Sequence, residues 1–273
     1  MLRFLIVLLL TTRVFSQDRL DIIRDSILAE GYFLFSLERA SWIGTDLARE
    51  LVSSRFPTIK GYLSYPDNDL VSCIFWTRDD TLVSFKASFD STFDINSCIV
   101  DTVLRPPSLI ELKLIRMREN ALNLINADTS GFFKMYHNTT LNLIPIAFSN
   151  DHRVVVITGA TVSGFMPIGN DYIMWYDSIG TFLSQERLHY SLIAKPLEPK
   201  PGKDGESVFA TYHSHTIQDF ITSTDVCTIL LYQNDATWSQ HYVVGKSFVS
   251  LWNKNTSDFI ILTKDAFLNM GKK

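Results

Sequence analysis

Residues 208–233, VFATYHSHTIQDFITSTDVCTILLYQ, change texture twice within 26 positions. Val208–His213 reads as a strand, apolar until it runs into histidines. Six loop residues follow His215. Thr222 then has the place and chemistry of a helix N-cap, with a helix near Thr222–Gln233 behind it. Side chains at i and i+2 of a strand share a face, with Cα atoms about 6.5 Å apart. His213 and His215 are therefore placed to converge on one ion, for which Zn–N bonds of about 2.1 Å are suited. Asp225 falls three residues after the cap, in the first helical turn, facing back toward Thr222. A third ligand there completes the three-protein-ligand pattern of catalytic zinc. The same residues also fit a plain capping box, Thr-x-x-Asp, which needs no metal.

Outward from this stretch, strands and helices alternate irregularly. Gln17 to about Ser54 is helical, continuing past Gly31, with Leu20, Ile23, Ile27 and Leu28 at helical spacing. Gly61–Tyr65, Leu70–Trp76 and Leu82–Phe89 are β-like. The turns PDND (Pro66–Asp69) and RDD (Arg78–Asp80) separate them into an antiparallel meander. Residues 106–127 read as a helix with Pro107 near its start and one apolar face of Leu114, Met117, Ala121 and Leu124. Near residue 130 the texture shifts to strands: Phe132–Tyr136, Leu141–Phe148, Arg153–Gly159, Tyr172–Tyr176 and Leu188–Ala194. A hairpin turn is expected at Ser149–Asp151. After a proline-rich loop and the stretch above come His241–Val244, Lys246–Trp252 and Phe259–Thr263. The expectation is an α+β fold, mostly antiparallel sheet with flanking helices. Its regions are a signal peptide at 1–16, an N-terminal α+β region at 17–130 and a C-terminal domain at 131–273.

The export reading rests on MLRFLIVLLLTTRVFS: a basic Arg3, a short apolar run Phe4–Leu10, then Val14 and Ser16 ahead of Gln17. The run is far below the roughly 20 residues that span a bilayer, and no later segment reaches that length. An exported chain, periplasmic or extracellular, with no transmembrane segment once processed, is expected. Removing residues 1–16 takes away Arg3 and Arg13 and no acid. Lys plus Arg falls from 25 to 23 against 29 acids, and the formal charge goes from −4 to −6. With no basic tract, nucleic acid is not an expected partner. Three cysteines, Cys73, Cys98 and Cys227, leave at least one unpaired within the chain, and a Cys73–Cys98 bridge is one open pairing.

YHSH followed by TSTD resembles the motif of the JAMM (JAB/MPN) metalloproteases, which runs Glu, then His-x-His, then Ser-x-x-Asp at a helix start. The resemblance is loose over residues 130–265 and specific only at Thr211–Asp225. It implies a JAB/MPN-like core in the C-terminal half and zinc held by His213, His215 and Asp225. It also implies that Thr222, in the serine position, steadies an oxyanion. The implied function is zinc-dependent cleavage of an amide or isopeptide bond in a protein or peptide substrate. Three departures stand out. The spacing from His215 to Asp225 is one residue short of the family's, Thr216 replaces a proline, and no upstream glutamate is evident. None lies between Glu119 and Glu186; Glu186 and Glu198 sit on turn and loop, and Glu206 is close to His213. Asp171 or Asp177 would have to substitute as general base. Without a base the alternative is an exported binding protein with a degraded site, or a structural envelope protein with only a capped helix.

Other features read as structural. His189 and His241 are expected on strands, His189 on a strand surface with a place in the same cleft as its sharper reading. GATVSG (159–164) lacks the ending of a phosphate loop, and there is no Gly-x-Ser-x-Gly elbow. Cys227 points away from Asp225 on a helix. Asn138-Thr-Thr and Asn255-Thr-Ser match the glycosylation acceptor pattern.

Overall fold

The structure is a computed structural model that describes residues 2–78, 81–198 and 209–270, with side chains from Gln17 onward. Among these residues it is α+β, with four α-helices and fourteen strands in mostly antiparallel sheets. Helix α1 (Leu2–Leu51) opens the chain and passes through Gly31 without a break. No helix among the described residues is long and apolar enough to cross a membrane. The chain divides into two compact units. One comprises residues 33–163 and 167–194; the other comprises 1–32, 164–166 and 195–273.

The first unit is built on two four-stranded sheets. Strands β1 (Ile59–Asp67), β2 (Leu70–Thr77) and β3 (Val83–Phe89) form the expected antiparallel meander, and a short β4 (Ile99–Asp101), not expected from sequence, adds to its edge. Strand β2 is apolar without alternation because both of its faces are covered. Cys73 and Phe75 pack with Ala40, Leu47 and Ala48 of α1. Ile74 and Trp76 point the other way, to Leu114 and Ile115 of helix α2 (Leu109–Ala127). Ser108 caps α2 in a full capping box with Glu111.

Of the expected apolar face of α2, Leu114, Met117 and Ala121 are buried and Leu124 is partly buried, with Ile125 joining them. Met117, Ala121 and Ile125 cover the second sheet through Leu143, Val154, Val156, Tyr172 and Met174. That sheet runs β5 (Thr139–Phe148), β6 (Asp151–Ala160), then β8 (Tyr172–Tyr176) and β9 (Phe182–Arg187), all antiparallel, with the hairpin at Ser149 and Asn150 as expected. Strands β7 (Phe165–Gly169) and β10 (Leu192–Pro196) pair separately.

Two sequence expectations are corrected here. Phe132–Tyr136 is not a strand. The Asp128 carboxylate takes the N–H groups of Ser130 (3.0 Å) and Phe133 (2.9 Å), and the Tyr172 hydroxyl takes that of Lys134 (3.0 Å), so these donors are spent on side chains instead of a strand partner. The strand expected from Leu188 begins only at Leu192, and Leu188 bonds instead to the Asp171 carbonyl. The three cysteines form no disulfide. Cys73 is fully buried, and burial pushes its thiol up to about 12.

The second unit carries the stretch from Thr211 to Asp225. Strand β11 (Ala210–Ser214) pairs parallel to β12 (Gln240–Val244), and helix α3 (Ser223–Tyr232) makes the crossover between them. Strands β13 (Phe248–Asn253) and β14 (Asp258–Thr263) complete an antiparallel edge, followed by α4 (Lys264–Met270). The β11–β12 pair is parallel within a mostly antiparallel fold.

Candidate metal centre

The strand alternation expected of β11 is present. Tyr212 and Ser214 are exposed while His213 and His215 are buried on the same face. The N–H of His215 still bonds the Val244 carbonyl at 2.9 Å, so the strand's direction persists through the second histidine. The loop then turns tightly. Gly245 lies against the Asp219 backbone so closely that a Cβ there would collide with the Asp219 carbonyl. Ile221 N–H reaches the Ser250 hydroxyl at 3.2 Å. This anchored loop delivers Thr222 as the N-cap of α3 with extended backbone (φ −93°, ψ 162°).

The cap aims Asp225. The Thr222 hydroxyl accepts from Asp225 N–H at 3.1 Å and donates to Asp225 Oδ2 at 2.7 Å, and Thr222 N–H donates to the same oxygen at 2.9 Å. Asp225 is fully buried, the one buried carboxylate of this unit among the described residues. An unpaired buried charge costs several kcal/mol; here Thr222 directs two donors, its N–H and its hydroxyl, at Oδ2. His215 Nε2 lies 3.1 Å from Asp225 Oδ2, His213 Nε2 lies 3.7 Å from Oδ1, and the two Nε2 atoms are 2.9 Å apart. Ligands on a tetrahedral ion with bonds of ~2.1 Å stand about 3.4 Å from one another. The three separations bracket that figure, and His215 and Asp225 belong to a buried group of ligand-type side chains that could hold a metal ion.

Proton placement agrees with that fit. His215 Nδ1 is 2.7 Å from the Phe220 carbonyl, which only accepts, so Nδ1 carries a hydrogen. In the neutral ring the lone pair is then on Nε2, the atom facing Asp225. His213 Nδ1 meets His241 Nε2 at 2.7 Å, and His241 Nδ1 meets Thr211 Oγ1 at 2.6 Å. His241 is fully buried, and burial drives its pKa down to about 3 against the pull of Asp225, so it is neutral at pH 7.

The sequence-selected residues thus fall into distinct positions. His213, His215 and Asp225 come together. Thr222 joins them through Asp225, and its hydroxyl hydrogen is committed to that carboxylate rather than held out for an oxyanion. His241, read from sequence as a structural strand histidine, contacts His213 directly. The signal for it was slight: a histidine opening the strand after the helix. His189 is buried rather than on a strand surface, with Nδ1 3.3 Å from Asp171 Oδ2.

Of the candidate bases, Glu186 and Glu198 are exposed. Glu119 accepts from Trp76 Nε1 (3.2 Å) and pairs with Lys60. Asp171 takes the Thr158 N–H at 3.1 Å, and Asp177 caps its own turn through Ile179 (3.0 Å) and Thr181 (2.8 Å). Glu206 lies outside the described residues. Cys227 is buried on α3. No family model, no curated protein and no solved structure matches the chain.

Proposed function

We propose that this protein binds one zinc ion through His213 Nε2, His215 Nε2 and Asp225, and uses it as an exported hydrolase of amide or isopeptide bonds. The observation that supports the reading is the convergence of two imidazole Nε2 atoms and one buried carboxylate at 2.9–3.7 Å. When bound, zinc would supply an activated water and polarise a carbonyl. The chain's own part is orientation: Phe220 fixes the His215 ring, and Thr222 fixes the carboxylate.

A second reading has its own support. His213, His215 and Asp225 are 2%, 7% and 0% exposed, and no other buried carboxylate occurs in their unit among the described residues. Those facts favour a metal-holding protein without hydrolytic chemistry, because hydrolysis needs substrate access and a general base. One experiment addresses both readings: metal content and amidase activity of the purified chain, beside His213→Ala/His215→Ala. Near-stoichiometric zinc in the parent and none in the variant supports the site. Activity lost with the metal supports the hydrolase, and metal without activity supports the second reading. No zinc in either protein, after folding with zinc present, overturns both.

A further inference from the structure

We infer that His241 and Thr211 are positioning residues that hold His213 by its Nδ1, so that its Nε2 is presented to Asp225 and His215. The inference rests on the metal-centre reading and extends it to two residues that are not themselves proposed ligands. Their placement is a consequence of strand register. In the parallel β11–β12 pair Thr211 stands opposite His241, while His213 stands opposite Val243. The His241 ring therefore lies along the same face as Thr211 and His213 and bridges them, at 2.6 Å to Thr211 Oγ1 and 2.7 Å to His213 Nδ1. Its orientation is held by packing as well. The His241 and Trp238 ring centroids are 5.7 Å apart, and both residues are fully buried.

The chain of hydrogen bonds admits two directions. In one, His213 Nδ1–H donates to His241 Nε2, and His241 Nδ1–H donates to Thr211 Oγ1. His213 then carries its lone pair on Nε2, as a metal ligand requires. In the other, the Thr211 hydroxyl donates to His241 Nδ1, His241 Nε2–H donates to His213 Nδ1, and His213 Nε2–H donates to His215 Nε2. That direction gives every ring nitrogen a hydrogen-bond partner without a metal, but leaves His215 Nε2 and Asp225 Oδ2 facing each other as two acceptors. Both directions leave His213 and His241 neutral. Passing from the second to the first releases one proton at His213 Nε2 and takes one up at the half-buried Thr211, with no net change. A threonine suits the end of such a chain because its hydroxyl both donates and accepts.

The test is zinc affinity of the full chain, by competition with a chromophoric chelator, for the parent, His241→Phe, His241→Gln and Thr211→Val. Proton-detected NMR of ¹⁵N-histidine protein with and without zinc accompanies it. Loss of such an outer partner lowers metal affinity by about 10–100-fold. His241→Phe is expected to show that loss, and His241→Gln, whose amide oxygen can still accept from His213 Nδ1, to recover most of it. The NMR spectrum of the parent should move the His213 proton from Nε2 to Nδ1 on zinc addition. Zinc affinity unchanged in His241→Phe overturns the inference while leaving the metal centre intact, whereas a parent that binds no zinc overturns the metal reading itself. If His241→Phe does not fold, Thr211→Val decides. An affinity drop of about threefold or more supports the relay, and parental affinity overturns it.

Discussion

His215 Nε2 stands 3.1 Å from Asp225 Oδ2, and the opposite ring nitrogen is pinned to the Phe220 carbonyl at 2.7 Å. A neutral His215 thus turns a lone pair, not a hydrogen, toward a carboxylate that itself only accepts. Two acceptors at that distance need a cation or a proton between them. Asp225→Asn keeps the shape and removes the charge. It is expected to cut zinc content of the purified chain below about a tenth of an equivalent, since a neutral amide is a poor substitute for an anionic oxygen ligand. Elemental analysis after dialysis checks it. Parental zinc in Asp225→Asn would remove Asp225 from the ligand set.

Thr222 serves the helix and the carboxylate together. Thr222→Ala deletes the cap acceptor for Asp225 N–H and the 2.7 Å donor to Oδ2. Loss of an N-cap costs about 1 kcal/mol, and loss of the outer contact is expected to weaken zinc binding by roughly tenfold. Thr222→Ser restores both. Urea denaturation and a zinc titration read the two effects separately. A destabilised Thr222→Ala with undiminished zinc affinity would reduce Thr222 to a helix cap.

The strand, cap and first-turn aspartate of this centre were legible because each is set by spacing alone: i, i+2 on a strand, and N-cap to N3 on a helix. His241 was not, because its contact with His213 depends on which strand pairs beside β11, and in which direction, 28 residues along the chain. The meander and α2 were legible for the same local reason, through the Asp67–Leu70 turn and the Ser108 capping box. Phe132–Tyr136 misled because its aromatic content matches a strand. The side chains do pack, Phe132 and Phe133 against Tyr172 with centroids 5.6 and 4.9 Å apart, but Asp128 and Tyr172 claim the backbone donors. Nothing in the sequence marked β9, whose LSQE interior is polar and whose pairing with β8 comes from the fold.

Gly31 sits inside α1, where alanine would ordinarily favour the helix by about 1 kcal/mol. Here a Cβ would overlap the Val226 side chain of α3 and come within 3.3 Å of the Ser223 carbonyl. Gly31→Ala is therefore expected to destabilise the protein by about 1–2 kcal/mol, the packing strain outweighing the helical gain. Adding Val226→Ala should relieve much of that, so the double variant is less destabilised than the sum of the two single variants. Strict additivity in chemical denaturation would show that α1 and α3 do not touch there.

The Arg105 guanidinium forks onto both oxygens of Glu111, 2.7 Å to each, while Tyr65 donates to Oε1 at 2.8 Å and Ser108 N–H to Oε2 at 2.7 Å. Burial alone would raise this carboxyl; these donors overrule it and hold the pKa at about 2, below the ordinary 4.5. A depressed pKa contributes stability that is present above pH 4.5 and lost as pH falls toward 2. Arg105→Ala strips the fork from a side chain that is 1% exposed and is expected to cost about 3 kcal/mol at pH 7. The deficit should shrink in acid, where the protonated carboxyl no longer needs a cation. A deficit that does not vary between pH 7 and pH 3 would contradict this account.

Glu38 behaves oppositely. It is 3% exposed on α1, and burial pushes its pKa up to about 7, although the Asn142 amide at 2.8 Å and the charge of Arg118 both pull it down. The folded chain then holds a proton on Glu38 between pH 4.5 and 7 that the unfolded chain has already released. With more protons bound in the folded state, stability falls as pH rises through that window. The shift corresponds to about 3 kcal/mol, complete by pH 8. Glu38→Gln is neutral at every pH, and its amide oxygen can still accept from Asn142. It is expected to match the parent near pH 4.5 and to exceed it by about that amount at pH 8. Unfolding free energies across pH 4.5–8 measure the difference, and parallel curves for the two proteins would mean that Glu38 is ionised in the folded state throughout.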